Sequence, residues 1–346
     1  MKPRRFLLKY RRKRPRGFTL IELLVGMILT FLVLAPLIGV AVNILQGDKA
    51  EQAKATTEQE MQAALDYIAR DLQQAVYIYT PEGITRNLNI NDSTQSGIKN
   101  QIPPVAPAPG CTNASTCVPI LAFWKREIVK EVEEQKIEGV NPFVYALVVY
   151  YHITGPQSAS DNNIWSKASR IGRFEIKDGV RLSSPPTNPS DSPYYNDSTA
   201  PFKKDDGFRL FDLSQQGGNL DRKMNIWAKD GPAYTNPVAI LVDYVDQSRW
   251  KEAAGDPAPI CPLNPTTNPP VPLSRNPASE GDVKGFFACI DSSKWVAQVF
   301  IRGNSVFRRD QNCDPTKSEC KFSQNNAAFF PRATVQVRGQ GFLDTL

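Results

Sequence analysis

The sequence predicts an α+β protein, in which one long N-terminal helix packs across an antiparallel β-sheet domain with long, disulfide-linked loops. Three observations support this prediction: an apolar run near the N terminus, a helical repeat of apolar residues after it, and short apolar segments separated by loops rich in Pro, Asn and Ser. We expect four segments, at residues 1–17, 18–45, 46–81 and 82–346, of which the last is the β-rich globular domain.

The segment from Phe18 to Leu45 is apolar and contains one ionisable side chain, Glu22. As a helix, its 28 residues would be about 42 Å long, more than the ~30 Å hydrocarbon core of a bilayer. Pro36 and Gly39 are expected to interrupt or kink this helix. Nine Lys and Arg residues and no acidic residue precede it. Because a basic flank remains cytoplasmic, we expect a single-pass inner-membrane protein with a cytoplasmic N terminus and an exported C-terminal domain.

The apolar run differs from that of a secretory signal peptide, because it is too long and no A-x-A pattern closes it. Instead, a small residue, Gly17, precedes the run and is followed by Phe-Thr-Leu-Ile-Glu. The segment from Gly17 to Leu24 resembles the N-terminal signature of type IV prepilins and pseudopilins. This resemblance implies that a prepilin peptidase removes residues 1–17 as a basic leader and methylates the new N-terminal amine of Phe18.

Glu22 has a physical rationale that does not depend on the resemblance. A carboxylate within an apolar helix costs on the order of a few kcal/mol near the bilayer centre and less near its edge. Cleavage after Gly17 would create an α-ammonium on Phe18, and the ammonium of a neighbouring subunit could then pair with Glu22. The assembly role that the resemblance implies for this glutamate agrees. The alternative is a signal anchor in which Glu22 merely lies at the interface.

A second helical segment is predicted from Lys49 to Tyr79, after a polar step at 46–48. Its apolar residues repeat at spacings of three and four and form one stripe, made of Met61, Leu65, Ile68, Leu72, Val76 and Tyr79. Polar residues are expected to point away from the stripe: Asp66, Arg70, Asp71 and Gln73. Pro81 and Gly83 should end the helix, whose stripe we expect to pack on a sheet of its own domain. The sequence from Ala64 to Ala75 also resembles the second half of the long helix in W-type minor pilins and J-type pseudopilins of type II secretion.

The remaining chain predicts six to nine strands joined by long loops. Strands are expected at 118–124, 143–153, 208–213, 238–245, 285–290, 295–302 and 333–337. Residues 125–136 form either a short helix or two polar strands, and 170–182 should be a β-hairpin that turns at Asp178-Gly179. We expect residues 84–117 to be a surface excursion, and no regular sheet to cross the proline-rich residues 253–285.

The net charge of +6 reflects the predicted leader rather than the mature chain. Without residues 1–17, the chain has 32 Lys and Arg against 35 Asp and Glu, a net charge of −3. Nonspecific DNA affinity depends on basic groups that neutralise phosphates. We therefore expect no nucleic-acid partner, and DNA uptake is the least favoured of the functions considered.

All six cysteines follow the apolar segment and would lie in an oxidising compartment, where an even number predicts three disulfides. Six cysteines allow 15 connectivities. Pairing of nearest neighbours would give Cys111–Cys117, Cys261–Cys289 and Cys313–Cys320. The competing interpretation, a metal site, is weak because the chain contains no C-x-x-C and only one histidine, His152.

No enzymatic motif is present: the sequence lacks G-x-S-x-G, a P-loop and H-E-x-x-H, so neither catalysis nor a cofactor is expected. Two short acidic segments, Asp178-Gly179 and Asp-Asp-Gly at 205–207, lack the alternating oxygen ligands of a calcium loop. We expect both to be turns. Several aromatic residues fall in or beside loops, where they would either anchor the loop or stack on sugars or protein partners: Trp165, Tyr194, Tyr195, Trp227 and Trp250.

These features together predict a minor pseudopilin, a structural subunit of a filament like a type IV pilus or a type II secretion pseudopilus. Its expected partners are prepilin peptidase, other pilins or pseudopilins and an inner-membrane assembly platform. The size, cysteines and Pro-rich inserts resemble pseudopilins that cyanobacteria use for polysaccharide secretion during gliding. That resemblance implies a role in polysaccharide export and surface motility, with polysaccharide as a further partner. The alternatives are a membrane-anchored adhesin or polymer-binding module, and a minor pseudopilin of protein secretion.

Overall fold

The computed structural model describes residues 17–155, 164–184, 186–188, 190–196, 198–214, 218–231, 233–250, 260–264, 271–279, 282–291 and 293–341. Of the predicted leader, only Gly17 lies among the described residues. The chain divides into two compact units, Met1–Glu51 and Gln52–Leu346. The second is called the globular unit below.

Helices and strands are numbered in chain order. The α-helices are α1 (Leu20–Gln73), α2 (Pro81–Thr85), α3 (Lys130–Glu134), α4 (Leu220–Asn225) and α5 (Val306–Arg309). Two 3₁₀ helices span Ser318–Cys320 and Gln324–Phe329. The strands are β1 (Ala75–Ile78), β2 (Cys117–Ile128), β3 (Val140–Asn141), β4 (Phe143–Ile153), β5 (Ser169–Lys177), β6 (Arg181–Leu182), β7 (Ala239–Val245), β8 (Leu263–Asn264), β9 (Val271–Pro272), β10 (Ser274–Asn276), β11 (Phe286–Asp291), β12 (Val296–Arg302) and β13 (Arg332–Arg338).

The described strands form two main antiparallel sheets, which confirms the predicted α+β class. The five-stranded sheet has the order β1-β2-β4-β5-β7, and the four-stranded sheet has the order β10-β11-β12-β13. Two short ribbons, β3–β6 and β8–β9, complete the strands. The predicted strands at 118–124, 143–153, 238–245, 285–290, 295–302 and 333–337 are confirmed as β2, β4, β7, β11, β12 and β13. The ambiguous segment 125–136 is divided between the end of β2 and α3.

Helix α1 is continuous from Leu20 to Gln73. Pro36 lies inside it, and the polar step at 46–48 is helical, so the interruptions predicted at these places are wrong. A proline removes one backbone hydrogen bond, a loss that the long runs of helix on either side tolerate. In the globular unit, the apolar stripe of α1 packs in one core cluster with side chains of both sheets, as predicted, through Met61, Leu65, Ile68 and Leu72.

The predicted extension of this helix to Tyr79, within the segment 46–81, is wrong. The chain leaves the helix after Gln73 and forms β1, in which Tyr77 and Ile78 lie opposite Trp124 and Phe123 of β2. The sequence Ala-Val-Tyr-Ile is rich in β-branched and aromatic residues, which favour a strand, and all four side chains are buried. The helical spacing of Val76 was therefore coincidental.

Four predictions about strands and loops are also wrong. Arg181 and Leu182 do not return along β5 but pair with Asn141 and Val140, so Asp178-Gly179 is not a hairpin turn. Residues 208–213 form no strand, because Phe208 and Phe211 are held as edge-to-face partners of Trp124 with ring centroids 5.8 and 5.1 Å away. The 84–117 segment is not wholly a surface excursion, because Ile98 and Ile102 are fully buried. The proline-rich stretch contains one strand of the second sheet, since β10 pairs with β11.

One carboxylate joins α1 to three neighbouring strands. Asp71, which was expected to point away from the core, is 7% exposed. Its Oδ1 accepts a hydrogen bond from Lys125 Nζ on β2 at 3.1 Å. Its Oδ2 accepts from the Tyr150 hydroxyl on β4 and from Arg173 Nε on β5, both at 2.7 Å. The prediction failed because Asp71 lies three residues after Ile68, which places it at the edge of the apolar stripe.

Two more carboxylates complete this group of charges. Glu175 accepts from Lys125 at 2.7 Å and from Arg173 at 2.9 Å, and Glu127 lies 2.6 Å from Lys125 Nζ. Burial alone would raise the pKa of Glu175, but the hydrogen bonds from Arg173 and the charge of Lys125 outweigh it and lower that pKa to about 2. Glu175 therefore remains charged at neutral pH beside the two cations.

His152 is buried in β4 and lies outside this network. Burial, together with the nearby charge of Lys284, lowers its pKa to about 3, which the backbone of Asp246 only partly offsets. Its Nε2 has no hydrogen-bond partner among the described residues. His152 is therefore neutral in the folded protein at every physiological pH.

Replacing Asp71 with Asn should lower the free energy of unfolding by roughly 2–4 kcal/mol, because Lys125 and Arg173 would lose a buried counter-charge. The measurement is urea unfolding of the full chain in detergent, followed by fluorescence of its tryptophans. Asp66→Asn is the matched control, since Asp66 is exposed on the same helix and should cost less than about 0.5 kcal/mol. Equal losses in the two variants would contradict the network's role.

His152 should make the protein less stable in mild acid. The unfolded chain binds a proton at His152 below a pH of about 6.5, whereas the folded chain does not, so stability falls as the pH drops from 6.5 towards 3. Between pH 7.5 and 5.0, the native protein should lose about 2 kcal/mol more unfolding free energy than His152→Gln. Urea unfolding at the two pH values measures this difference, and an identical pH dependence in both proteins would refute it.

Candidate functional site

The chain from Gly17 to Thr19 is non-helical and exposed, and helix α1 begins directly after it at Leu20. A Cβ added to Gly17 would meet no atom within 4 Å, and Phe18 is 80% exposed. The peptide bond between Gly17 and Phe18 is therefore accessible within the described residues. An enzyme can reach this bond without unfolding a helix.

Thr19 caps α1. Its hydroxyl accepts a hydrogen bond from the backbone N–H of Glu22 at 3.3 Å, and its carbonyl accepts from the N–H of Leu23 at 3.1 Å. The Glu22 carboxylate lies in the first turn, 3.5 Å from the Thr19 hydroxyl. Negative charge is favourable at this end of a helix, because the free N–H groups carry partial positive charge. The local sequence thus holds the carboxylate one turn from the new N terminus that cleavage would create.

The helix that follows is apolar on every side. Every large apolar side chain between Phe18 and Leu45 is exposed, by 43% at Val42 to 87% at Leu20. The one hydroxyl deep in this segment, that of Thr30, donates to the Gly26 carbonyl at 2.8 Å and so needs no outside partner. Among the described residues, α1 alone is long and apolar enough to cross a membrane. These features indicate membrane anchoring.

The family model for the prokaryotic N-terminal methylation motif matches residues 12–38, which include Gly17, Phe18 and Glu22. The N terminus is type IV pilin-like. This motif implies processing by a prepilin peptidase and assembly with other pilins. The match ends within the first half of α1, so the globular unit lies outside it. No curated protein and no solved structure shows significant similarity to the chain.

The six cysteines lie in the pairs expected of nearest neighbours. The structure joins Cys111 to Cys117, Cys261 to Cys289 and Cys313 to Cys320, with Cα–Cα distances of 5.7, 5.6 and 5.9 Å. Each bond fixes a loop of the globular unit to its core, where all six residues are buried. The pairing leaves none of them as a thiol ligand for a metal.

Two of the five loop aromatics are buried anchors, and a third, Tyr195, is 42% exposed. Trp227 and Trp250 are buried, and their indole N–H groups donate to the carbonyls of Arg209 and Lys284, each at 2.7 Å. Tyr195 packs edge-to-face on Phe202. Tyr194 and Trp165 differ, because each lines a cleft.

The Tyr194 cleft has a volume of about 560 Å³ and includes Asp205, Asp206 and Asp230. Its charged groups are already paired within the protein: Asp230 with Lys204 at 3.0 Å, and Asp206 with the Thr235 hydroxyl at 2.8 Å. Asp205 accepts from the Lys177 N–H and from Asn236. Among the described residues, no group of three His, Cys, Asp or Glu side chains is placed to hold a metal ion.

Proposed function

We propose that this protein is a minor pseudopilin, a structural subunit that a membrane platform builds into a filament of the type IV pilus or type II secretion kind. The observation that supports this best is the placement of Gly17, Phe18 and Glu22 at the exposed start of an apolar helix, within a methylation motif. Pilin-like proteins are structural subunits rather than enzymes, which agrees with the lack of enzymatic motifs in the sequence.

In the proposed assembly, the poor solvation of charged groups in the bilayer drives the pairing of subunits. In the proposed sequence of events, the basic leader remains cytoplasmic while residues 18–45 enter the inner membrane and the globular unit is exported. Cleavage after Gly17 exposes the amine of Phe18, and its methylated ammonium pairs with Glu22 of an adjacent subunit. Both charges are poorly solvated in the bilayer, so their pairing favours helix-to-helix packing over isolated subunits.

The size of the globular unit supports a low-copy subunit. It extends from Gln52 to Leu346, and a unit of this size would crowd the shaft of a uniform filament. Its long loops and three disulfides suit an exported, exposed position. Within this proposal, the filament serves polysaccharide secretion and surface motility, and a filament for protein secretion is the nearest alternative.

A membrane-anchored polymer-binding module is the second candidate, and one observation favours it. Trp165 is a partly exposed tryptophan in a cleft, a position from which it can stack on a ligand. In that case α1 would serve only as an anchor, and Glu22 would have no partner in an adjacent subunit.

Replacing Gly17 with Val should leave an unprocessed precursor in the membrane, because the bulkier residue blocks the peptidase at the cleavage bond. Gly47→Val is the matched control: it makes the same change in α1 outside the motif, where an added Cβ meets no atom within 4 Å. The readout is the size of the protein on immunoblots of membrane fractions. Normal processing of the Gly17 variant would count against the proposal.

Replacing Glu22 with Gln should leave processing intact but reduce the assembled fraction about tenfold or more, since loss of a desolvated ion pair costs at least ~1.4 kcal/mol per contact. Glu58→Gln is the control, because Glu58 is exposed on the same helix beyond the motif. The measurement compares the amount of protein in sheared filaments with that in membranes. Equal assembly of both variants would argue for a simple anchor.

A further inference from the structure

A cleft of about 300 Å³ lies on the globular unit, near α5 and the start of β5. Its lining includes two aromatic rings, Trp165 and Tyr244, and two amide side chains, Gln311 and Asn312. Its size is at the lower end of the range typical of small-ligand sites. Unlike the Tyr194 cleft, it contains no carboxylate.

A β-bulge sets the position of Tyr244. Ser169 pairs with Val245 and Ile171 with Val242, so two residues of β7, Asp243 and Tyr244, lie opposite a single residue of β5. A bulge re-aims a side chain that would otherwise alternate across the sheet. Tyr244 adopts a φ of +60°, a left-handed conformation that is costly for an aromatic residue.

Asp243 connects the side of the cleft that carries Tyr244 to the side that carries Trp165. Its carboxylate accepts hydrogen bonds from the Tyr244 N–H at 2.7 Å, from the Ser166 N–H at 2.8 Å and from the Ser166 hydroxyl at 2.7 Å. These bonds stabilise the unusual backbone of Tyr244. They also fix the segment that carries Trp165, so both rings are pre-positioned.

The polar groups of Trp165 and Tyr244 differ from those of the buried tryptophans in their hydrogen bonding. The indole N–H groups of Trp124, Trp227 and Trp250 all donate to protein oxygens. By contrast, within the described part of the chain neither the indole N–H of Trp165 nor the hydroxyl of Tyr244 makes a hydrogen bond. The Trp165 ring is contacted by the Arg170 guanidinium, 5.7 Å from its centroid, and the Tyr244 ring by Arg308 at 4.0 Å.

The backbone that carries the two amides is held by a tight turn and by a disulfide. Asp310 accepts from the N–H groups of Asn312 and Cys313 at 3.0 and 3.1 Å, which forms a tight turn. The next residue, Cys313, is buried and bonded to Cys320. Gln311 and Asn312 themselves are exposed, and their side-chain amides make no hydrogen bond to any described residue.

We propose that this cleft binds a pyranose unit of a polysaccharide. The apolar C–H face of a sugar ring stacks on an aromatic ring, while planar amides offer a donor and an acceptor side by side to its neighbouring hydroxyl groups. The indole N–H and the phenol supply two more polar partners. Lys167, on the same lining, adds a positive charge that would favour an acidic sugar. The biological meaning of this site rests on the proposed role in polysaccharide export.

The test is native affinity electrophoresis of the full chain in a detergent without sugar groups, through gels containing dextran, alginate or the polysaccharide secreted by the host. We expect at least one polymer to retard the native protein. Trp165→Ala and the double variant Gln311→Ala/Asn312→Ala should each weaken this retardation about tenfold or more. Preferential retardation by alginate, lost in Lys167→Ala, would identify an acidic sugar.

Matched controls separate binding from folding. Trp295→Ala and Gln336→Ala change the same residue types away from the cleft and should retain binding. The Trp165 variant should also be processed and assembled normally, so a failure of binding and a failure of filament assembly are distinguishable. No retardation of the native protein by any of the three polymers, or unchanged retardation of Trp165→Ala, would overturn the proposal.

Discussion

The apolar segment from Phe18 to Leu45 has to be shielded from water. Within the described part of the chain its large apolar side chains are exposed, which would be unfavourable in water. Lipid or other helices must therefore cover them. The one ionisable side chain in this segment, Glu22, lies in the first turn of the helix, where in the proposed function the amine of another subunit pairs with it. The same constraint thus accounts for insertion into the membrane and, in the proposed function, for assembly.

Within the globular unit, a buried ionic network fixes the C-terminal part of α1 to the five-stranded sheet. Asp71 bonds to side chains on β2, β4 and β5, so the helix is tied to three adjacent strands as well as packed against both sheets. In the proposed function, a subunit that is drawn out of the membrane by its helix has to transmit force to its globular domain. The apolar stripe and the buried ionic network would resist such a force, because α1 cannot move along the sheet without breaking several contacts at once.

The sequence predicted those features that depend on local composition. The apolar segment, the cleavage signature and the stripe of α1 were all visible in it, as were six strands and the presence of three disulfides, whose connectivity it left open. Features set by contacts distant in sequence were not visible. The strand β1 continued the helical spacing of α1, and only its pairing with β2 shows why the chain leaves the helix at Gln73. The burial of Asp71 depends on Lys125 and Arg173, more than 50 residues away. Likewise, the cleft at Trp165 results from a bulge in β7 and a turn beside Cys313.

The identity of the N-terminal peptide, in protein purified from its host, decides whether the chain is processed after Gly17 as a filament subunit would be. High-resolution mass spectrometry would identify its first residue and any added methyl group. We expect a chain that begins at Phe18 with a methylated amine and lacks residues 1–17. A protein that still begins at Met1, with the basic leader intact, would contradict this expectation and leave a single-span anchored domain in place of a filament subunit.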